Sequence, residues 1–389
     1  MADSVLVIGA SVAGVGAVNE LRRCGFSGRI ALVDGQTHLP YDRPPLALQG
    51  EDAGTSVHFH DRDHYAKANI DLHLGDAARA LDVRAREVLL ESGRRLAADA
   101  IIVATGARAR PFPYLRCTGT VHLLRDLDDA MRLRTLLQRG KRLVVIGGGF
   151  IGAEVASSAV GRGVDVVVIE AANLPFERIL GTQIAARIAS LHAEAGVKLM
   201  CGVPVDRIET SHAAQQVVLA DNRWVDADVV VAGLGALPNV EWLASSGLKL
   251  SNGVVCDGEG RTGASGIFAA GNVAAWPDPF SGVHERHEHW TAAREQARIV
   301  AQSICGEVAA SWRAFVPYFW SDLHGVRLQM LGSAFGADDI RIVHEDHEKR
   351  AFIAEYHKLG ELTGVVGCNS GAKTMRYGSQ LARRSVSVF

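Results

Sequence analysis

Two glycine-rich turns hold the residues whose type and spacing point to chemistry. The first follows Val5-Leu6-Val7-Ile8 and reads Gly9-Ala10-Ser11-Val12-Ala13-Gly14; the second follows Leu143-Val144-Val145-Ile146 and reads Gly147-Gly148-Gly149-Phe150-Ile151-Gly152. In such a strand-to-helix turn, glycine lets the backbone approach a pyrophosphate, whose charge rests on the free N–H groups that open the helix. One match alone is weak, because glycine at this junction often serves packing. Here each match is followed by an amphipathic stretch (17–23 and 153–160) and a second apolar run (29–33 and 164–169), the order a βαβ unit requires. The sequence therefore describes two nucleotide pockets, and the usual use of two is to pass electrons between them.

The second strand of each unit should end in an acid that meets a ribose. Glu170 closes Val-Val-Val-Ile-Glu about 20 residues beyond Gly147, where a carboxylate accepts from ribose hydroxyls and repels a 2′-phosphate, which predicts NADH over NADPH. Asp34 ends Ala-Leu-Val-Asp in the first unit and suggests the same contact. Ser11 stands where the motif has its middle glycine; it narrows the space for phosphate but can donate a hydrogen bond to it.

The elements needed to position these turns are also visible. The chain has 389 residues and is 48% hydrophobic, enough for two to three domains with separate cores. Its net charge of −2 gives no reason to expect nucleic acid or an anionic membrane as partner. No apolar run reaches the ~18 residues of a membrane helix, and the apolar start, broken by glycines and preceded by Asp3, reads as strand and helix rather than signal peptide, so a cytoplasmic location is expected. The six cysteines (Cys24, Cys117, Cys201, Cys256, Cys305, Cys368) form no C-x-x-C pair, which disfavours a redox disulfide beside a flavin. Two histidine groups, His58/His60/His64 and His284/His287/His289, lack the spacing of a zinc enzyme, and no metal is expected.

An α/β fold follows, with two Rossmann-like dinucleotide-binding domains and a C-terminal α+β domain. After a β-rich stretch (71–96), Ile101-Ile102-Val103-Ala104-Thr105-Gly106 ends a strand, and Arg110-Pro111-Phe112-Pro113 reads as a linker, since both prolines lack an N–H. The second nucleotide domain runs to an apolar strand (228–234) closed by Gly235-Ala236-Leu237-Pro238-Asn239, a second crossing. Ile267-Phe268-Ala269-Ala270-Gly271-Asn272 then returns to the first sheet, and a helix follows over 290–304. The expected division is 1–110 with 236–312 for the first domain, 111–235 for the second and 313–389 for the third.

These motifs in this order resemble the oxygenase-coupled, FAD-dependent NADH:ferredoxin reductases of the putidaredoxin-reductase and aromatic-ring-dioxygenase-reductase type. The likeness covers nearly the whole chain and rests on Tyr41-Asp42-Arg43-Pro44-Pro45-Leu46, Ala104-Thr105-Gly106, Leu124-Arg125-Asp126-Leu127, the Gly147 turn with Glu154, Glu177-Arg178, the 235–239 segment, Glu288-His289-Trp290 and Phe319-Trp320-Ser321-Asp322. It implies FAD at the first turn (Gly9, Ser11, Ala13, Gly14, Asp34) and NADH at the second (Gly147, Gly149, Ile151, Gly152, Glu170, Arg178, Gly235). Arg43, Thr105, Gly106, Gly271 and Asn272 would lie along FAD, Arg125 would meet its phosphate side, and Trp290 would pack beside the isoalloxazine; an arginine fork suits a phosphate and an indole suits a planar ring. Glu154 would touch the nicotinamide amide. The implied partner is a small [2Fe-2S] ferredoxin that feeds an oxygenase, with Arg110, Arg313, Arg383 and Arg384 as candidate docking cations, on a monomer or homodimer.

Two departures bear on the chemistry. The family pattern Pro-Leu-Ser-Lys is here Pro45-Leu46-Ala47-Leu48, so Leu48 replaces the cation expected near the flavin and near Glu154; Gly-Asp is here Gly271-Asn272. They keep two alternatives open: an NADH oxidase or quinone reductase, and a non-catalytic NADH-binding flavoprotein resembling apoptosis-inducing factor.

Overall fold

A computed structural model describes residues 2–47, 57–113, 116–210, 214–307 and 311–387, with backbone alone at 45, 47 and 384–387. The apolar run before the first turn becomes the strand Ser4–Ile8, the centre of a parallel five-stranded sheet ordered Ile267–Ala269, Ala100–Val103, Ser4–Ile8, Arg29–Asp34, Ile70–Leu74. Its central strands are buried on both faces, which is why they read as continuous rather than alternating hydrophobic runs. The helix Val12–Arg23 packs on the helix Trp290–Cys305 along a seam of small residues, where a Cβ on Gly16 would lie 3.3 Å from that of Ala297. The segment Ile267–Ala269 pairs parallel with Ala100–Val103 and so completes this sheet from far along the chain.

The second unit repeats the plan. Lys198–Cys201, Asp165–Glu170, Arg142–Ile146 and Val229–Ala232 form a parallel sheet in that order, and the helix Phe150–Gly161 leaves the second turn. Each unit also carries a three-stranded antiparallel sheet, 78–97 in the first and 205–227 in the second.

The two crossings between the units pair with each other. The sequence marks 235–239 as a closing turn; instead Ala236–Pro238 is a short strand antiparallel to Ala107–Ala109. Thr105 Oγ1 donates to the Asn239 carbonyl (2.9 Å) while Asn239 Nδ2 donates to the Thr105 carbonyl (2.8 Å), so each crossing satisfies polar groups of the other. Residues 110–113 beyond the strand adopt no regular structure.

The C-terminal segment forms a five-stranded antiparallel sheet ordered Tyr318–Leu323, Val326–Gly332, Glu361–Cys368, Ala351–Lys358, Asp339–Asp346. One face (Leu323, Leu328, Met330, Phe352, Tyr356) is buried on Ala153, Phe176, Leu180 and Ile184 of the second unit. The helix Glu177–Glu194 breaks at Gly181, which adopts φ +73°, and the Leu180 carbonyl beside the break accepts a buried hydrogen bond from Tyr356 Oη at 2.8 Å. This docking carries Phe319 to Asp322 to the helix that bears Glu154. No helix among the described residues is long and apolar enough to cross a membrane.

Candidate functional site

Both turns are built alike. Gly9 and Gly147 adopt φ of +108° and +101°, where a side chain is strained, and a Cβ on either would strike a carbonyl of the neighbouring strand's end, Ala104 or Gly233. At each turn the acid that ends the second strand braces the loop: Asp34 Oδ2 accepts from Ala10 N (2.6 Å) and Oδ1 from Gln36 N (2.8 Å), while Glu170 Oε2 accepts from Gly148 N (2.7 Å) and Oε1 from Ala172 N (2.8 Å). An ionised carboxylate has about four acceptor positions, so capacity for ribose hydroxyls remains.

The first turn opens into a long cleft. Gly9, Ser11, Ala13, Asp34, Arg43, Thr105, Gly106, Arg125, Gly271, Asn272 and Trp290 line it, together with Ile151 and Glu154 from the helix of the second unit. Gly14 does not; it lies behind the turn, where an added Cβ would collide with the Gly9 carbonyl, so it shapes the loop. Ser11 is the N-cap of its helix yet makes no side-chain capping bond, which leaves its hydroxyl for a ligand.

Two arginines line this cleft, with Glu288 on the same wall. Arg125 donates from Nε to the Ala107 carbonyl at 2.7 Å, and burial, then the charge of Arg43, lowers its pKa to about 10. Arg43 keeps a buried Nε with no hydrogen-bond partner. Two like charges with an orphaned donor, lining the same cleft as the residues that open the helix Val12–Arg23, make a site for a dianion such as pyrophosphate. The residues present therefore fit FAD at the first turn.

Trp290 is fixed in place: its Nε1 donates to Asp42 Oδ1 (2.9 Å), Arg294 lies 5.4 Å over its ring and Trp320 stands 6.3 Å away. Opposite, Glu154 accepts from Ser321 Oγ at 2.5 Å. Desolvation, aided by the charge of Asp322 and opposed by the Ser321 bond, raises Glu154 to about 7, so this carboxyl changes charge near neutrality. The sequence left Glu154 without a partner once Leu48 replaced the family's lysine; the structure supplies a neutral hydroxyl in place of a cation. Leu48 itself lies outside the described residues.

The second turn stands apart from this cleft: Gly147, Gly149, Gly152, Glu170, Arg178 and Gly235 do not line it. A Cβ on Gly149 would meet nothing within 4 Å, so the loop leaves open room of the kind a pyrophosphate fills, whereas one on Gly152 would strike the Gly147 carbonyl. A Cβ on Gly148 would approach Pro175 at 2.9 Å, which brings the segment before Arg178 beside the turn; Arg178 is exposed in the first helical turn of Glu177–Glu194.

Sequence reasoning gave no role to several residues that shape the cleft. Gln296, fully buried, accepts from Gly271 N at 2.8 Å and so fixes the turn before Asn272. His289 stacks on Phe319 at 4.9 Å, and burial pushes it down to about 4, so it is neutral. Asp42 and His289 lie inside strings that carried the family resemblance, and that was their signal; Gln296 had none. All six cysteines are free and none lines the cleft, which fits the absence of a C-x-x-C pair. His60 and His64 stack at 3.6 Å and both meet Asn19.

Residues 3–297 match the family model of pyridine nucleotide-disulphide oxidoreductases, and residues 318–388 match that of the reductase C-terminal domain. The chain is 36% identical to the ferredoxin–NAD(+) reductase component of the biphenyl dioxygenase system of Paraburkholderia xenovorans (strain LB400), over 87% of this chain and 83% of that one. It is 36% identical to putidaredoxin reductase of Pseudomonas putida, over 87% and 82%. Among solved structures, the covalent putidaredoxin reductase–putidaredoxin complex superposes with a TM-score of 0.93 at 32% identity, covering 98% of this chain and 93% of that one.

Proposed function

The chain belongs to the pyridine nucleotide-disulphide oxidoreductase family, and from that premise we propose that it is an NADH:ferredoxin oxidoreductase, an FAD flavoprotein that passes electrons from NADH to a small [2Fe-2S] ferredoxin supplying an oxygenase, either a Rieske dioxygenase or a cytochrome P450. The observation that carries this reading is the single cleft in which the first turn, Arg43, Arg125 and Trp290 face Ile151 and Glu154 of the second unit. Bound FAD supplies the redox chemistry, accepting a hydride and releasing electrons singly.

The protein's part is binding, orientation and charge. The N–H groups at the start of Val12–Arg23, the Ser11 hydroxyl and the two arginines hold the FAD pyrophosphate, with Asp34 on a ribose. Thr105, Gly106, Gly271 and Asn272 flank the ribityl chain, and Trp290, locked by Asp42, offers a flat apolar wall. Gly147, Gly149 and Arg178 hold the NADH pyrophosphate beside Gly235, with Gly152 packed under the loop, and Glu170 takes the ribose. Ile151 and Glu154 then meet the nicotinamide. We assign residues 1–110 with 236–312 to the FAD domain, 111–235 to the NADH domain and 313–389 to the C-terminal domain. NADH as donor fits a cytoplasmic enzyme.

Steady-state turnover with NADH tests the reading, comparing a [2Fe-2S] ferredoxin with oxygen and with a quinone. Ferredoxin reduction well above the other two rates supports it, with the rate falling as salt screens an acidic partner from the candidate docking cations Arg110, Arg313, Arg383 and Arg384. Turnover with oxygen or quinone alone assigns an oxidase or quinone reductase. Binding of both nucleotides without turnover assigns a non-catalytic flavoprotein.

A further inference from the structure

The hairpin that leads into the Trp290 wall gathers a donor set that the redox reading leaves unused. Asp278, Glu285 and His287 each place one ligand-type atom within 4.8 Å of the others. The sequence offered His284, His287 and His289 as a group; the fold separates them, sending His289 to Phe319 and leaving His284 exposed, and joins His287 to two carboxylates instead.

His287 is 5% exposed, and its buried Nε2 has no hydrogen-bond partner. It faces Asp278 Oδ2 at 3.7 Å, too long for a hydrogen bond. Asp278 is held from the other side, since its Oδ1 accepts from Phe280 N (3.0 Å) and Ser281 N (2.7 Å), which aims Oδ2 at the imidazole. The third member, Glu285, is exposed and gives the cluster an open side.

We propose that Asp278, Glu285 and His287 form a zinc site, with solvent as the fourth ligand. Zinc takes imidazole nitrogen and carboxylate oxygen at about 2.0–2.2 Å in a tetrahedron, which sets neighbouring ligand atoms roughly 3.3–3.6 Å apart. The 3.7 Å between His287 and Asp278 is close to that edge. A cation there would join the carboxylate before the hairpin turn to the imidazole after it. The segment thus clamped continues into Arg286, which donates to the Asn272 carbonyl at 2.9 Å, and into Trp290, so zinc would stiffen one wall of the cleft without touching the reacting atoms.

The test uses the FAD-loaded protein, stripped with a chelator, equilibrated with zinc chloride and desalted. Elemental analysis should find about one zinc per chain in the parent and none in His287→Leu or in Glu285→Gln. Glu285 is exposed, so Glu285→Gln should melt as the parent does in zinc-free buffer. No stoichiometric zinc in the parent, or zinc retained by both variants, overturns the proposal. Anomalous scattering at the zinc edge from parent crystals decides independently of the variants: a peak within bonding distance of all three side chains is expected, and a peak elsewhere or none contradicts it.

Discussion

At the first turn the Ala10 N–H meets Asp34 at 2.6 Å, and at the second the Gly148 N–H meets Glu170 at 2.7 Å; in both, the leading glycine has φ near +100° and the last glycine packs under the loop. What stands over the two loops differs. The first shares its cleft with Arg43 and Arg125, with an orphaned guanidine nitrogen and an indole held by Asp42, while the second opens at Gly149 and has an exposed arginine in the helix Glu177–Glu194. Equal backbones thus serve unequal ligands: a partly buried pair of cations suits a cofactor that stays, and an open loop suits a donor that comes and goes. The difference lies in residues far from either motif in sequence.

Exchanging the same injury between the turns should break that comparison most visibly. Gly14→Val forces a side chain onto the Gly9 carbonyl, and we expect protein isolated without FAD; Gly152→Val does the same at Gly147, and we expect yellow protein whose kcat/KM for NADH falls at least ~100-fold. Absorbance at purification and steady-state kinetics read both, and loss of FAD from the Gly152 variant with retention in the Gly14 variant would reverse the assignment.

The arginines should show the same asymmetry at smaller scale. Arg43→Met removes a charged donor from a part-buried site, worth about 1.5–3 kcal/mol, or roughly 10–100-fold in FAD affinity. Arg178→Met removes an exposed charge, worth about 0.2–1 kcal/mol, and should raise the KM for NADH only a few-fold. Equal effects in calorimetric FAD titration and NADH kinetics would say that the two loops are not differently surrounded.

Glu170 sharpens the second site alone. A carboxylate a few ångströms from a 2′-phosphate costs about 1–4 kcal/mol at partly solvated sites, so NADH should be preferred by roughly 5- to 1000-fold. Glu170→Gln can keep one of its two backbone contacts while losing the charge, and the ratio of kcat/KM for the two donors should narrow about tenfold. An unchanged ratio would assign Glu170 to bracing the loop alone.

How much of this was legible beforehand follows from range. Both turns, their strands and their acids are local patterns, each within one βαβ unit, and the sequence shows them directly. The return of Ile267–Ala269 to the first sheet was readable because a third apolar run ended in the same small-residue turn. The pairing of Ala107–Ala109 with Ala236–Pro238 was not, since three-residue strands carry no periodicity. Nor was the Ser321 bond to Glu154, which depends on how the C-terminal sheet docks, or the Asp278–His287 cluster, which depends on a hairpin register.

Glu154 is the smallest expected effect and the most specific. Burial holds its carboxyl at about 7, so it is mostly protonated below that pH and ionised above it. A dihydronicotinamide gains positive charge as it gives up hydride, which a carboxylate stabilises and a neutral acid does not. Stopped-flow reduction of the protein by NADH should therefore accelerate as pH rises through about 7, Glu154→Gln should flatten the profile, and Ser321→Ala should move the midpoint to higher pH, because the lost hydrogen bond favoured the ionised form. A flat profile in the parent would remove Glu154 from the reaction.

The central claim is that the first turn holds FAD, the second holds NADH, and the two meet where Trp290 faces Glu154. A crystal structure of the FAD-loaded protein soaked with NAD⁺ tests it directly. The account predicts the FAD pyrophosphate against Ser11 and the two arginines, the adenosine ribose of NAD⁺ on Glu170, and the nicotinamide between Glu154 and the isoalloxazine. A nicotinamide at the first turn, or an NAD⁺ whose nicotinamide points away from Glu154, would contradict it.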